Sequence, residues 1–142
     1  MNILFVCTGN TCRSPMASVI AEKILTGHKI TSAGVAAWIQ GPASTFALEA
    51  VKELGLDLSG HLSQQLQSEY LDEFDIILTM TEVHRQMVCN MNEQVAHKTY
   101  TICQFVGDEG DVEDPFGSDL EAYRRCAVQL EELIKKACKN LK

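Results

Sequence analysis

The sequence predicts an α/β fold of three layers, a four-stranded parallel sheet with helices on both faces, and two observations carry that expectation. Short apolar runs alternate with segments of helical pattern along the 142 residues. Strands separated by helix-length segments imply crossovers that lay helices against a parallel sheet. The opening stretch, Asn2 to Ala17, also has the grammar of buried strand, tight loop and helix: an apolar run into Cys7, then Thr8-Gly9-Asn10-Thr11, then Ser14-Pro15.

Taken in order, the first strand is Asn2 to Val6 and the first helix runs from Ser14 to Thr26. Pro15 suits the first helical position and Gly27 the exit. A strand near Lys29 to Ala33 precedes a helix from about Ala43 to Leu54, closed by Gly55. Asp75 to Met80 and Lys98 to Ile102 are the remaining strands, separated by a helix from about Glu82 to Met91. Four strands in this order make a flavodoxin-like sheet the economical topology, with a phosphate-binding loop after the first strand. Ser118-Asp119-Leu120-Glu121 reads as a capping box opening the last helix. Along that helix Leu120, Tyr123, Ala127, Leu130, Ile134, Ala137 and Leu141 form a core stripe, and Glu131 to Lys135 and Glu132 to Lys136 form pairs on the wet side. No repeat or linker interrupts the chain, so residues 1–142 are expected to form one domain. The irregular stretches Val35 to Pro42 and Gly107 to Gly117 are candidate walls of a site.

With 46% hydrophobic and 22% charged residues the chain has enough apolar material for an ordinary core. Its net charge of −7 argues against nucleic acid, whose binding rests on cations that neutralise phosphates. The longest apolar run is far short of the roughly 20 residues of a membrane span, and no signal-peptide pattern opens the chain. A soluble, cytoplasmic protein without a membrane partner is expected. Six cysteines, Cys7, Cys12, Cys89, Cys103, Cys126 and Cys138, are then expected to be largely reduced. None of them has the spacing of a zinc site, and His28, His61, His84 and His97 are scattered, so neither metal nor cofactor is expected. Oligomeric state is left open, with a monomer compatible.

In an open parallel sheet, ligands bind beyond the carboxyl ends of the strands where the strand order reverses. The loop Cys7 to Arg13 sits there. Its backbone N–H groups can face one centre, the following helix adds its positive end, and the Arg13 guanidinium can hold two phosphate oxygens. This is an anion nest, and it lacks the lysine and spacing of a nucleotide P-loop. Alone, a cysteine at a strand end is a buried small hydrophobe. At the first position of a nest that includes Gly9, Asn10, Arg13 and Ser14, Cys7 is expected to favour its thiolate and act as a nucleophile. Ser14 is expected to donate to the sulfur and cap the helix, and Asn10 to take up left-handed backbone.

Cys7-Thr8-Gly9-Asn10-Thr11-Cys12-Arg13-Ser14-Pro15 resembles the C-x-G-N-x-C-R-S-P loop of the low-molecular-weight protein tyrosine phosphatases and their bacterial arginine-phosphatase branch. Thr31-Ser32-Ala33-Gly34, Leu58-Ser59-Gly60-His61, Phe74 to Met80 and Asp114-Pro115-Phe116-Gly117 follow in family order, so the resemblance covers essentially the whole chain. It implies Cys7 as nucleophile, Arg13 as transition-state clamp and Asp114 as general acid acting on a phosphorylated protein substrate through a phosphocysteine. The chemistry agrees, because expelling a phenolate or a guanidine from phosphorus needs a proton on the leaving atom. Thr8, Gly9, Asn10, Thr11, Cys12, Ser14, Trp38 and Phe116 are the expected substrate-binding residues. As in the family, Cys12 is placed to form a protective disulfide with an oxidised Cys7. Thr11 stands where tyrosine phosphatases of the family usually carry isoleucine or leucine, and Phe116 where they often have tyrosine. The hydroxyl at residue 11 points to phosphoarginine, with phosphotyrosine as the alternative. Two more distant readings are a thiol-dependent arsenate reductase, which needs two further cysteines close together whereas Cys89 and Cys103 have 13 residues between them, and a phosphocarrier or phosphate-sensing module, which gains nothing from Asp114.

Overall fold

The computed structural model describes residues 1–141. Its sheet has four parallel strands in the order β2-β1-β3-β4, formed by β1 (Asn2–Cys7), β2 (Lys29–Gly34), β3 (Ile76–Thr79) and β4 (Thr99–Thr101). The helices are α1 (Arg13–Ile24), α2 (Thr45–Lys52), α3 (Glu82–Met91), α4 (Ile102–Phe105) and α5 (Leu120–Asn140), with 3-10 turns at Ser68–Glu73 and Glu93–Lys98. The expected three-layer α/β class is observed.

β1 shows why the sheet needs two covers. Its side chains alternate, so Ile3, Phe5 and Cys7 join the core beneath α1, α2 and α5, while Leu4 and Val6 join a smaller one with Ile77, Val88, Val95 and Leu71. Both sets are buried, which is what a continuous apolar run at the centre of a parallel sheet requires. α5 closes the larger core: Tyr123, Ala127, Leu130, Ile134 and Ala137 of the stripe are all buried.

Element boundaries depart from the sequence expectation for local reasons. α1 begins at Arg13, ahead of Pro15, and Ser14 is engaged elsewhere than at its cap. α2 is shorter than 43–54, starting after Ser44, whose hydroxyl accepts from the Ala47 N–H at 3.2 Å. The cap of α5 is Asp119 rather than Ser118: its carboxylate accepts from the Ala122 N–H, and Glu121 turns to Arg124 instead of back to the cap. Glu131 does pair with Lys135, at 3.6 Å, but Lys136 reaches Asp108 at 2.9 Å rather than Glu132. β4 ends at Thr101, one residue short of the expected Ile102, because Thr101 caps α4 in a reciprocal capping box with Gln104.

The carboxyl ends of the strands converge on one edge. Val35 N–H donates to Cys7 O and Met80 N–H to Val6 O, each at 3.0 Å, so the exits of β2 and β3 flank the exit of β1. The chain leaves β1 toward β2 on one side and toward β3 on the other, and that reversal opens the crevice. No helix among the described residues is long and apolar enough to cross a membrane.

Candidate active site

The loop from Thr8 to Cys12 is shaped by one residue with left-handed backbone and a set of buried polar anchors. Asn10 has φ of 56°, which asparagine tolerates better than most side chains. Its side chain is fully buried: Nδ2 donates to Ser14 Oγ at 2.8 Å and to Ser32 Oγ at 3.0 Å, while Oδ1 accepts from the Gln64 N–H at 3.0 Å. His61 Nε2 lies 2.7 Å from the Asn10 carbonyl oxygen. These contacts tie the loop to β2 and to the segment before the first 3-10 turn.

They also orient the sulfur. Because Ser14 Oγ accepts from Asn10, its own hydrogen is free to point at Cys7 Sγ, 2.8 Å away, and the Asn10 N–H donates to the same sulfur at 3.3 Å. Ser14 thus serves the sulfur as expected but not the helix cap, which is Cys12 with no side-chain bond. Burial pushes the Cys7 thiol up from its ordinary value. Hydrogen bonds from the Ser14 side chain and backbone, the Asn10 amide and the Arg13 charge pull the other way without overcoming it. This runs against the expectation of a thiolate favoured by the nest, because desolvation of the anion outweighs its donors.

Arg13 is buried, its guanidinium held by a hydrogen bond from Nη1 to the Val112 carbonyl oxygen at 3.2 Å and by Asp114 Oδ2, 3.4 Å from Nη2. The Asp114 loop is turned inward by its own backbone, since Asp114 Oδ1 accepts from the Phe116 N–H at 3.0 Å. Pro115 and Phe116 then form the outer lip. Cys7, Thr8, Gly9, Thr11, Cys12, Arg13, Asp114 and Phe116 line one cavity of about 210 Å³. Its chemistry is that of an anion pocket with a thiol on the floor, a cation on the wall and a carboxyl at the mouth.

The structure therefore brings together the expected Cys7, Arg13 and Asp114, with Thr8, Gly9, Thr11, Cys12 and Phe116. Asn10 and Ser14 stand behind the loop and act on it from below. Trp38 is 78% exposed and lies outside the cavity lining. A larger opening of about 220 Å³ along β2, lined by Lys29, Thr31, Gln64 and Tyr70 among others, holds none of these groups. Cys12 Sγ is 3.4 Å from Tyr123 Oη and 3.7 Å from Ser44 Oγ, and burial helps push the Tyr123 phenol up to about 12, so the phenol stays protonated and available as a donor. Among the described residues, no group of three or more His, Cys, Asp or Glu side chains is placed to hold a metal ion.

Sequence reasoning missed the supports. Ser32, Ser44, His61, His84, Tyr123 and the Val112 carbonyl act on the loop and on Arg13 from six other segments. Ser32 and His61 lie in motifs that follow family order; for the others the signal is position, since several follow the carboxyl ends of strands, where a parallel sheet places its ligand. Gly34 is a further case: a side chain there would lie 2.5 Å from the Thr8 carbonyl oxygen, so only glycine lets β2 pass this close to the loop.

The model of the low molecular weight phosphotyrosine protein phosphatase family matches residues 2–142. The chain is 44% identical over 141 residues to a protein-arginine-phosphatase of Geobacillus stearothermophilus, covering 98% of this chain and 95% of that one. It is 39% identical to the low molecular weight protein-tyrosine-phosphatase PtpB of Staphylococcus haemolyticus, covering 99% of both. Among solved structures it superposes with a TM-score of 0.94 on the YwlE arginine phosphatase in its C7S form with a phosphorylated active-site serine, at 37% identity over 99% of this chain and 95% of that one.

Proposed function

The chain belongs to the low molecular weight phosphotyrosine protein phosphatase family, and within it we propose that this enzyme hydrolyses phosphoarginine on proteins through a phosphocysteine formed on Cys7. The observation that carries the reading is the shared cavity: thiol, guanidinium and carboxyl groups meet around one space whose wall carries the Thr11 hydroxyl.

Two half-reactions follow from that placement. Transfer of one proton from the Cys7 thiol to the Asp114 carboxylate creates the nucleophile and the general acid together. The substrate's phosphoryl oxygens replace water against the loop N–H groups and the Arg13 guanidinium, which stabilise charge as it builds. The Cys7 sulfur bonds to phosphorus while the bond from phosphorus to the guanidino nitrogen breaks, and Asp114 delivers its proton to that nitrogen. Asp114, again a carboxylate, then takes a proton from water attacking the phosphocysteine, which releases phosphate and the thiolate. The solved relative whose C7S form carries a phosphorylated active-site serine supports a phosphoryl group on this residue. Cys103 and Cys126, unpaired and buried in the core, are consistent with a reducing, cytoplasmic setting, which completes the reading.

The phosphotyrosine reading keeps one specific support: Phe116, 75% exposed, stands at the mouth where it would pack on a phenyl ring. The deciding experiment compares kcat/KM on matched phosphoarginine and phosphotyrosine peptides for the wild type and Thr11→Ile. The wild type is expected to favour phosphoarginine, and Thr11→Ile to invert the ratio, because a branched aliphatic suits a flat ring and offers nothing to guanidino N–H groups. A wild type that favours phosphotyrosine, or a ratio untouched by Thr11→Ile, overturns the assignment.

A further inference from the structure

His84 takes no part in the two half-reactions, yet its ring is tied to the rim of the pocket. It sits in the first turn of α3, 4% exposed, where its backbone N–H donates to Thr81 Oγ1 at 3.2 Å. Its ring spans the crevice between β3 and the loop after β1. Nδ1 lies 3.0 Å from Thr81 Oγ1, and Nε2 lies 2.8 Å from Thr8 Oγ1. Both nitrogens are thus satisfied at once. Burial and the Arg13 charge push the ring down to about 4, against the opposing pull of Asp111 and Asp114, so it is neutral around pH 7.

A neutral imidazole has one donor and one acceptor nitrogen. If Nε2 accepts the Thr8 hydroxyl proton, the Thr8 oxygen keeps both lone pairs; if Nε2 donates, it keeps one. In either tautomer the hydroxyl is held in one rotamer with an acceptor site left over. Thr8 lines the cavity with Asp114 and Phe116. Cys7 is buried and Thr8 exposed in the same lining, so the Thr8 side chain lies nearer the open end of the cavity than the sulfur on which phosphorus must sit. A guanidino group brings N–H donors to that wall. A phenyl ring brings none and would cover the remaining acceptor site of the Thr8 oxygen without filling it.

We infer that Thr8 and His84 form a specificity pair for guanidino leaving groups, Thr8 as the contact and His84 as the positioning residue that fixes its hydroxyl in advance. This rests on the phosphoarginine reading and adds a second acceptor to the one argued for Thr11.

The test measures kcat/KM for a phosphoarginine peptide and for p-nitrophenyl phosphate, and follows the ratio of the two. Thr8→Val, at an exposed position that keeps side-chain shape, is expected to lower the ratio about tenfold, and Thr8→Ser to restore it to within about twofold of wild type. His84→Phe is expected to lower the ratio by a similar factor, and to add nothing further when combined with Thr8→Val. A ratio unchanged in Thr8→Val overturns the inference, as does a His84→Phe effect that is fully additive or that lowers both substrates in parallel. Failure of the underlying reading looks different: the wild type would favour phosphotyrosine over phosphoarginine peptides, while the fall in ratio caused by Thr8→Val would still report on the pair.

Discussion

Gly34→Ala tests whether the loop's position, separate from its composition, sets the rate. Gly34 ends β2 directly opposite Cys7, and its N–H and carbonyl oxygen are used by Gln64 and Leu66 of the covering segment, so β2 cannot swing aside. A methyl group at this residue would lie 2.5 Å from the Thr8 carbonyl oxygen, 2.9 Å from the Asn10 nitrogen and 2.9 Å from Ala37 Cβ. Ordinary contact begins near 3.4 Å, so loop and strand must part by roughly 0.9 Å (3.4 minus 2.5). Two of the atoms being pushed, Thr8 O and Asn10 N, belong to the loop that carries the proposed nucleophile Cys7. A displacement of about 1 Å at reacting groups costs on the order of 100-fold in rate. The strain itself costs about 1–3 kcal/mol of stability, which lowers the melting temperature by roughly 3–10 °C in a domain of this size. The assay is kcat/KM on p-nitrophenyl phosphate, alongside thermal unfolding followed by circular dichroism. The expected variant is folded at 25 °C and about 100-fold slower. Gly60→Ala, where a new methyl meets nothing within 4 Å, is expected to behave as wild type. A Gly34→Ala rate within about threefold of wild type would refute the claim that close passage of β2 registers the loop.

Asp114→Asn is expected to slow phosphoarginine hydrolysis by about 100-fold or more, and p-nitrophenyl phosphate, whose leaving group needs little protonation, far less; equal losses on the two would remove Asp114 as the acid. Peroxide should inactivate the wild type reversibly, Cys12 condensing with the Cys7 sulfenic acid to give a disulfide and water, whereas Cys12→Ser should not recover with reductant; mass mapping of Cys7 to any other cysteine would contradict this. Stability should fall with acid partly through His84, because the unfolded ring binds its proton near 6.5 and the folded one only near 4, so the unfolded chain holds more protons between those values. That linkage is at most about 3 kcal/mol, fully present above pH 6.5 and lost as pH falls toward 4, and His84→Phe should flatten this part of the denaturant-derived stability curve; identical wild-type and variant slopes would argue against a buried neutral ring.

The anion loop was legible in nine consecutive residues because a loop that wraps an anion is built from local parts. The left-handed Asn10, the backbone N–H groups and Arg13 are near neighbours in the chain, so their spacing already encodes their geometry. The sheet was legible for a similar reason, since alternation of apolar runs and helical periods is a local signal. What the sequence by itself could not decide is what the loop is pressed against. Ser32, Gln64, His61, Ser44, Tyr123 and His84 reach it from up to 111 residues away, and each contact depends on which strands lie side by side. The same holds for two results that ran against expectation. Local donors argued for a Cys7 thiolate, but burial under the folded loop pushes the thiol up. Trp38, in a segment read as a wall, lies outside the cavity because that wall is supplied by Asp114 and Phe116, carried past Arg13 by the Val112 carbonyl oxygen. Desolvation and long-range packing are sums over neighbours that the chain brings together only by folding, which is why they were decided by tertiary structure and not by the order of residues.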